Sequence, residues 1–178
     1  IRRNLYQPMA SDQLPDFVLP LKVAAQGYRV VYEPMAKLWE TSLKGAQDEY
    51  RMRVRVALRA MWALYDMRQL LGFKLNPLFS WQLWSHKVLR YLSFLFLLAL
   101  IVSNALLLGK NSFFQIFFLI QVLCYFSAML STAFERRGIK NRLFNFSRYF
   151  TLLNIASAHA FIKFLSGEKK VLWTPRKG

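Results

Sequence analysis

The chain has one cysteine, nine acidic side chains against 25 Lys and Arg, and two histidines. A single thiol, Cys124, excludes an intramolecular disulfide, and with no ligand beside it a thiolate metal site is excluded too; it reads as a small apolar filler. Among its seven glycines no phosphate-cradling loop occurs. No His-x-x-x-His or Cys-x-x-Cys spacing and no Gly-x-Ser-x-Gly elbow is present, so the common metal and nucleophile signatures are missing. His86 stands among Trp and Lys residues, which suits an amphipathic interfacial side chain better than a catalyst.

What is abundant is apolar surface: 55% of residues are hydrophobic and 16% aromatic. Residues 91–108, YLSFLFLLALIVSNALLL, carry no ionisable group except the Tyr91 phenol, and residues 111–134 carry no acid or base. Each run is long enough to cross about 30 Å of hydrocarbon at about 1.5 Å per residue, and neither shows the polar stripe of a soluble helix. The tight link from Gly109 to Ser112 makes 91–134 an expected transmembrane hairpin. A third apolar stretch within 149–165 is only 14 residues between Arg148 and Lys163. It is short for a crossing and is expected to lie shallow or to re-enter.

A net charge of +16 invites a nucleic-acid reading. The placement of the cations argues against it. Lys87 and Arg90 precede the first apolar run, Arg136, Arg137, Lys140 and Arg142 follow the second, and Lys169, Lys170, Arg176 and Lys177 close the chain, as at a lipid headgroup surface. Membrane lipids are therefore expected partners and nucleic acid is not. The chain opens Ile-Arg-Arg-Asn without an initiator Met, so it is expected to be the C-terminal part of a longer protein.

Residues 1–71 read as an α/β piece. Pro15-Asp16 opens a helical run that Gly27 should stop, YRVVY at 28–32 has strand composition, Glu33-Pro34 turns the chain, and a second extended piece is expected over 36–40. From Asp48 to about Leu71 there is neither Gly nor Pro, which predicts a long helix. Residues 72–90 predict an interfacial amphipathic helix containing Phe79, Trp81, Trp84, His86, Lys87 and Arg90. Residues 135–178 comprise a basic loop turning at Gly138, the third apolar helix and a basic tail.

Two features could carry chemistry. Asp16 stands at a helix start, where the macrodipole favours negative charge and a carboxylate can accept a proton, although acids there also serve simply as caps. Arg51, Arg55 and Arg59 fall at i, i+4 and i+8, with Trp62 nearly in line. Guanidinium forks suit diphosphate oxygens, but such a stripe is equally the solvated face of a helix.

The run PDFVLPLKVAAQGYRVVYEPMAKLWE, the Arg-rich helix ending RVALRAMWAL, and QLWSHKVLR ahead of the hairpin together resemble the C-terminal half of membrane-bound family 2 glycosyltransferases, the cellulose and hyaluronan synthase-like enzymes. The resemblance is strongest over 15–62. It implies a GT-A-type α/β nucleotide-sugar domain followed by membrane helices. In that family an acid pair opens the helix before the GYRVVYEP-like strand, and its Asp is the general base. Here the pair is Pro15 and Asp16, so only Asp16 carries over. Of the family's Gln-x-x-Arg-Trp motif, Met52-Arg53-Val54-Arg55-Val56 retains only Arg55, which weakens the case for processive chain growth.

The resemblance further implies a nucleotide-sugar donor, a glycan or lipid-linked acceptor, inversion at the anomeric carbon, and a divalent metal (Mg or Mn) held by an upstream half rather than by these residues. Asp16 would be catalytic, with Arg55, Arg59, Arg51 and Trp62 at the diphosphate or acceptor. The implied location is a bacterial plasma membrane with the catalytic part cytosolic. The competing expectation is a non-enzymatic membrane adaptor or transport component with a small cytosolic αβ unit.

Overall fold

The computed structural model describes residues 2–39, 46–74, 76–136 and 142–169. Every regular element among them is helical, and none of the described residues forms a strand. The α/β, GT-A-type expectation for 1–71 is therefore corrected. YRVVY has the composition of a strand, but a strand exists only as part of a ladder that takes up its N–H and C=O groups. No second strand lies among the described residues to do so, and Val31 and Tyr32 are left 83% and 84% exposed. The second extended piece follows a turn closed by Ala36 N–H donating to the Glu33 carbonyl at 3.1 Å. It is non-helical through Trp39, and Glu40 lies outside the described residues.

The described parts of Ile1–Arg90 and His159–Gly178 form one compact unit, and Tyr91–Ala158 forms another. In the first, α1 spans Pro15–Ala25, with Pro15 at its first position, where a missing N–H costs nothing. Gly27 ends it as expected. Its φ of +82° lets Gly27 N–H reach the Ala24 carbonyl (3.0 Å) and Tyr28 N–H reach the Val23 carbonyl (3.3 Å), the paired bonds of a Schellman cap.

Helix α2, Ala46–Asp66, begins with Asp48 and Glu49 at its positive end and gives way to a 3₁₀ turn at Arg68–Leu71. Its middle is covered on almost every side, with Val54, Ala57, Leu58, Ala60, Met61, Ala63 and Leu64 buried. The three alanines allow neighbouring backbone to come close.

Helix α3, Pro77–Tyr91, falls within the segment expected to be an interfacial helix. Asn76 caps it by accepting from Phe79 N–H at 3.1 Å. Its inner face supplies Leu83 to a core with Leu21 and Leu70, flanked by Phe17, Met67, Leu71 and Phe79. Ser80 Oγ, buried, lies 2.8 Å from the Leu70 carbonyl and 3.0 Å from those of Gly72 and Asn76. A π-turn over Trp84–Val88 interrupts the α-geometry.

In the second unit, α4 (Ser93–Leu106) and α5 (Ser112–Arg136) are joined by the expected tight link and by Asn104 Nδ2 donating to Gln121 Oε1 at 3.1 Å. Among the described residues one helix, Ser112–Ser131, is long and apolar enough by itself to cross a membrane. Only 6% of its apolar window is buried, so it is not a covered core helix. Alone, α4 has 14 residues, about 21 Å of rise, and meets the length criterion only jointly with α3 across a break at Leu92. The third apolar stretch lies within α6, Arg142–Leu165, a continuous helix whose Asn154 Oδ1 accepts from Ser93 Oγ at 2.7 Å. Gly138 and the tail beyond Lys169 lie outside the described residues.

Candidate functional site

Asp16 occupies the first turn of α1, exposed, with no side-chain cap at the preceding Leu14. It stands on the wall of a groove of about 900 Å³. Along α1 the groove is lined by Phe17, Pro20 and Leu21, along the following chain by residues 27–32, and along α3 by Phe79, Gln82, Leu83 and Lys87. Among the described residues its cations are Arg29 and Lys87. Pro20, one turn after Asp16, has no N–H to offer the Asp16 carbonyl, so that oxygen lacks its helical donor.

Lys87 sits with its ammonium 5.0 Å from the centre of the Phe17 ring, a cation–π distance. Partial burial pushes its pKa below 10.5, and repulsion from Arg90 pushes the same way, while attraction from Asp16 opposes both. A half-desolvated ammonium pressed by one cation and held by one carboxylate makes this wall receptive to a further negative group.

The arginine stripe runs from exposed to buried. Arg51 is exposed, Arg55 is half-buried and Arg59 is 7% exposed, because α2 passes from its solvated first turn into the packed middle of the unit. Arg53 lies off this line and pairs with Glu49 at 3.4 Å, one turn earlier. None of Arg51, Arg55, Arg59 or Trp62 lines the groove that holds Asp16. Asp16 and the stripe, expected to act on one reaction centre, do not share a pocket among the described residues.

Trp62 is engaged within the chain. Its Nε1 donates to the Glu168 carbonyl at 2.9 Å, the Phe164 ring meets it edge-on at 4.7 Å, and the Lys169 ammonium lies 4.7 Å from its centre. Gly167, at φ +73°, caps α6 as Gly27 caps α1 and turns Glu168 back onto Trp62. The Glu168 carboxylate closes the clasp on Lys163 at 2.7 Å. Farther along, Tyr50 Oη and His159 Nδ1 are 2.9 Å apart.

Among the described residues no three His, Cys, Asp or Glu side chains gather as metal ligands.

The sequence reading missed Arg29 and Lys87. Arg29 was hidden within the YRVVY segment. Lys87 was assigned to the lipid side, although its spacing from Ser80 and Leu83 (i, i+3, i+7) puts a cation on the buried face. No family model matches the chain, and neither a curated protein nor a solved structure matches it.

Proposed function

We propose that this chain is the acceptor-side, membrane-attached part of an inverting glycosyltransferase that uses a nucleotide sugar. The observation that carries the reading is Asp16, a carboxylate at a helix start on the wall of a groove that Lys87 and Arg29 also line. The resemblance of residues 15–62 to membrane-bound family 2 glycosyltransferases supports it, as does an apolar helix of membrane-crossing length in the same chain. In this reading the Asp16 carboxylate takes the proton of an acceptor hydroxyl as its oxygen attacks the anomeric carbon. The sugar–phosphate bond breaks, the nucleoside diphosphate leaves with the electron pair, and configuration inverts. Of the cations assigned to that diphosphate, Arg51 is exposed, Arg55 half-buried and Arg59 buried.

The test is Asp16→Asn in the full-length protein in membranes, measuring sugar transfer beside nucleotide-sugar binding. The amide keeps the shape but cannot take the proton, so transfer is expected to fall about 10²–10⁴-fold with binding retained. Transfer above about a tenth of wild type refutes the assignment. A wild-type protein that binds no nucleotide sugar is instead a membrane adaptor.

A further inference from the structure

Helix α3 has two committed faces. Its inner face lines the Asp16 groove through Phe79, Leu83 and Lys87. Its outer face, away from the groove, leaves Trp81 and Leu89 at 57% and 43% exposure. Leu89 falls eight residues after Trp81, which on a regular helix would carry it well around the axis. The π-turn at Trp84–Val88 acts as about one inserted residue and brings it back under Trp81. The result is an apolar patch of Trp81 and Leu89 bordered by exposed His86 and Arg90, the composition of a helix lying in a headgroup layer. In the chain this helix leads, across Leu92, directly into an apolar run.

A helix is about 10 Å across, so a groove on the inner face of one lying in the headgroup layer is within one helix diameter of the lipid. The groove wall pairs apolar side chains with Lys87 and Arg29, and among the described residues that line it Asp16 is the carboxylate. A water-borne neutral glycan needs neither the two cations nor the apolar wall. We infer that the groove takes a lipid-anchored acceptor entering from the bilayer, with a phosphate-bearing headgroup on Lys87 and Arg29 and its hydroxyl toward Asp16. The hydroxyl's role rests on the sugar-transfer reading, whereas the lipid site rests on the two faces of α3.

The experiment uses the full-length protein in nanodiscs of phosphatidylcholine with a minority of phosphatidylglycerol, whose headgroup carries both a phosphate and hydroxyls. A photocrosslinking benzoylphenylalanine replaces either Gln82, in the groove, or Trp81, on the outer face, and lipid adducts are identified by mass. From Gln82, phosphatidylglycerol adducts are expected at about tenfold over their share of the bilayer, falling to the bulk ratio in Arg29→Gln/Lys87→Gln. From Trp81, adducts should follow the bulk ratio in both proteins, which also shows that the double variant is folded.

Adducts at bulk ratio from Gln82, or no lipid adduct from either position, overturn the inference. So does loss of the preference on adding soluble glycerol 3-phosphate, which would mark a site for free phosphate. Asp16→Asn should keep the adduct while losing transfer. Adduct formation by a wild-type protein that transfers no sugar refutes the enzymatic reading alone, and transfer without an adduct refutes the lipid site alone.

Discussion

Replacing Ser80 with alanine removes one oxygen from a side chain that is 1% exposed and stands among three carbonyls. The hydroxyl has one proton and donates to one carbonyl at a time. The Asn76 carbonyl also accepts from Ser80 N–H at 2.9 Å, so it keeps a partner in the variant. The carbonyls of Leu70 and Gly72 lose their link to α3. Leaving a buried polar group unsatisfied costs about 1–3 kcal/mol, and the missing oxygen opens too little space to add a cavity term. For a chain of this size each kcal/mol moves Tm by roughly 2–4 °C, so a fall of about 2–12 °C is expected.

Thermal unfolding in detergent micelles, followed by tryptophan fluorescence, measures the shift. Trp84 is a suitable local probe because its Nε1 donates to the Leu71 carbonyl at 3.1 Å, in the same turn that Ser80 holds. Ser85→Ala is the control. Its hydroxyl bonds the Trp81 carbonyl at 2.9 Å in an exposed setting, where water replaces it, and stability should stay within about 0.5 kcal/mol. Equal effects of the two substitutions, or a Ser80→Ala variant that melts with wild type, would refute the view that Ser80 pins the groove wall.

Because Lys87 has a folded pKa below 10.5, the unfolded chain binds more protons between the two values, so its contribution to stability rises as pH climbs through the folded pKa toward 10.5. Tm measured across that window should rise less, or fall more, in Lys87→Gln than in wild type, and parallel curves would contradict the assignment. Asn104→Leu and Gln121→Leu, combined in a double-mutant cycle, should show a coupling of about 0.6 kcal/mol and no more than about 1.7 kcal/mol, with zero coupling refuting the bond. Trp62→Phe keeps a ring against Phe164 but loses the bond to Glu168. It should cost about 0.5–1.5 kcal/mol, read by chemical denaturation, and leave sugar transfer within about twofold. A much larger loss of transfer at unchanged stability would return Trp62 to the acceptor site.

Several elements were legible because their signals are local. The Pro15-Asp16 start and the Gly27 stop of α1 depend on a missing N–H and a positive φ, both properties of single residues. The apolar run that became α5 is read from composition over a window. The helical core of α2 follows from the lack of Gly and Pro, although its last turn tightens to 3₁₀ at Arg68–Leu71.

What was not legible depended on partners distant in the chain. The tyrosines and valines of 28–32 state a preference for strand, but whether a ladder forms is decided by another segment. The i, i+4, i+8 arithmetic places Arg51, Arg55 and Arg59 on one line and cannot say that the line runs into the packed middle of a unit. Trp62 looked available because nothing local reveals that Gly167, 105 positions later, folds Glu168 onto it. The sequence by itself determined where helices start, stop and are apolar, since these follow from backbone chemistry within a few residues. Only the tertiary structure decided which cations line one groove with Asp16, because that is set by the Leu21–Leu70–Leu83 core holding the inner face of α3 against α1.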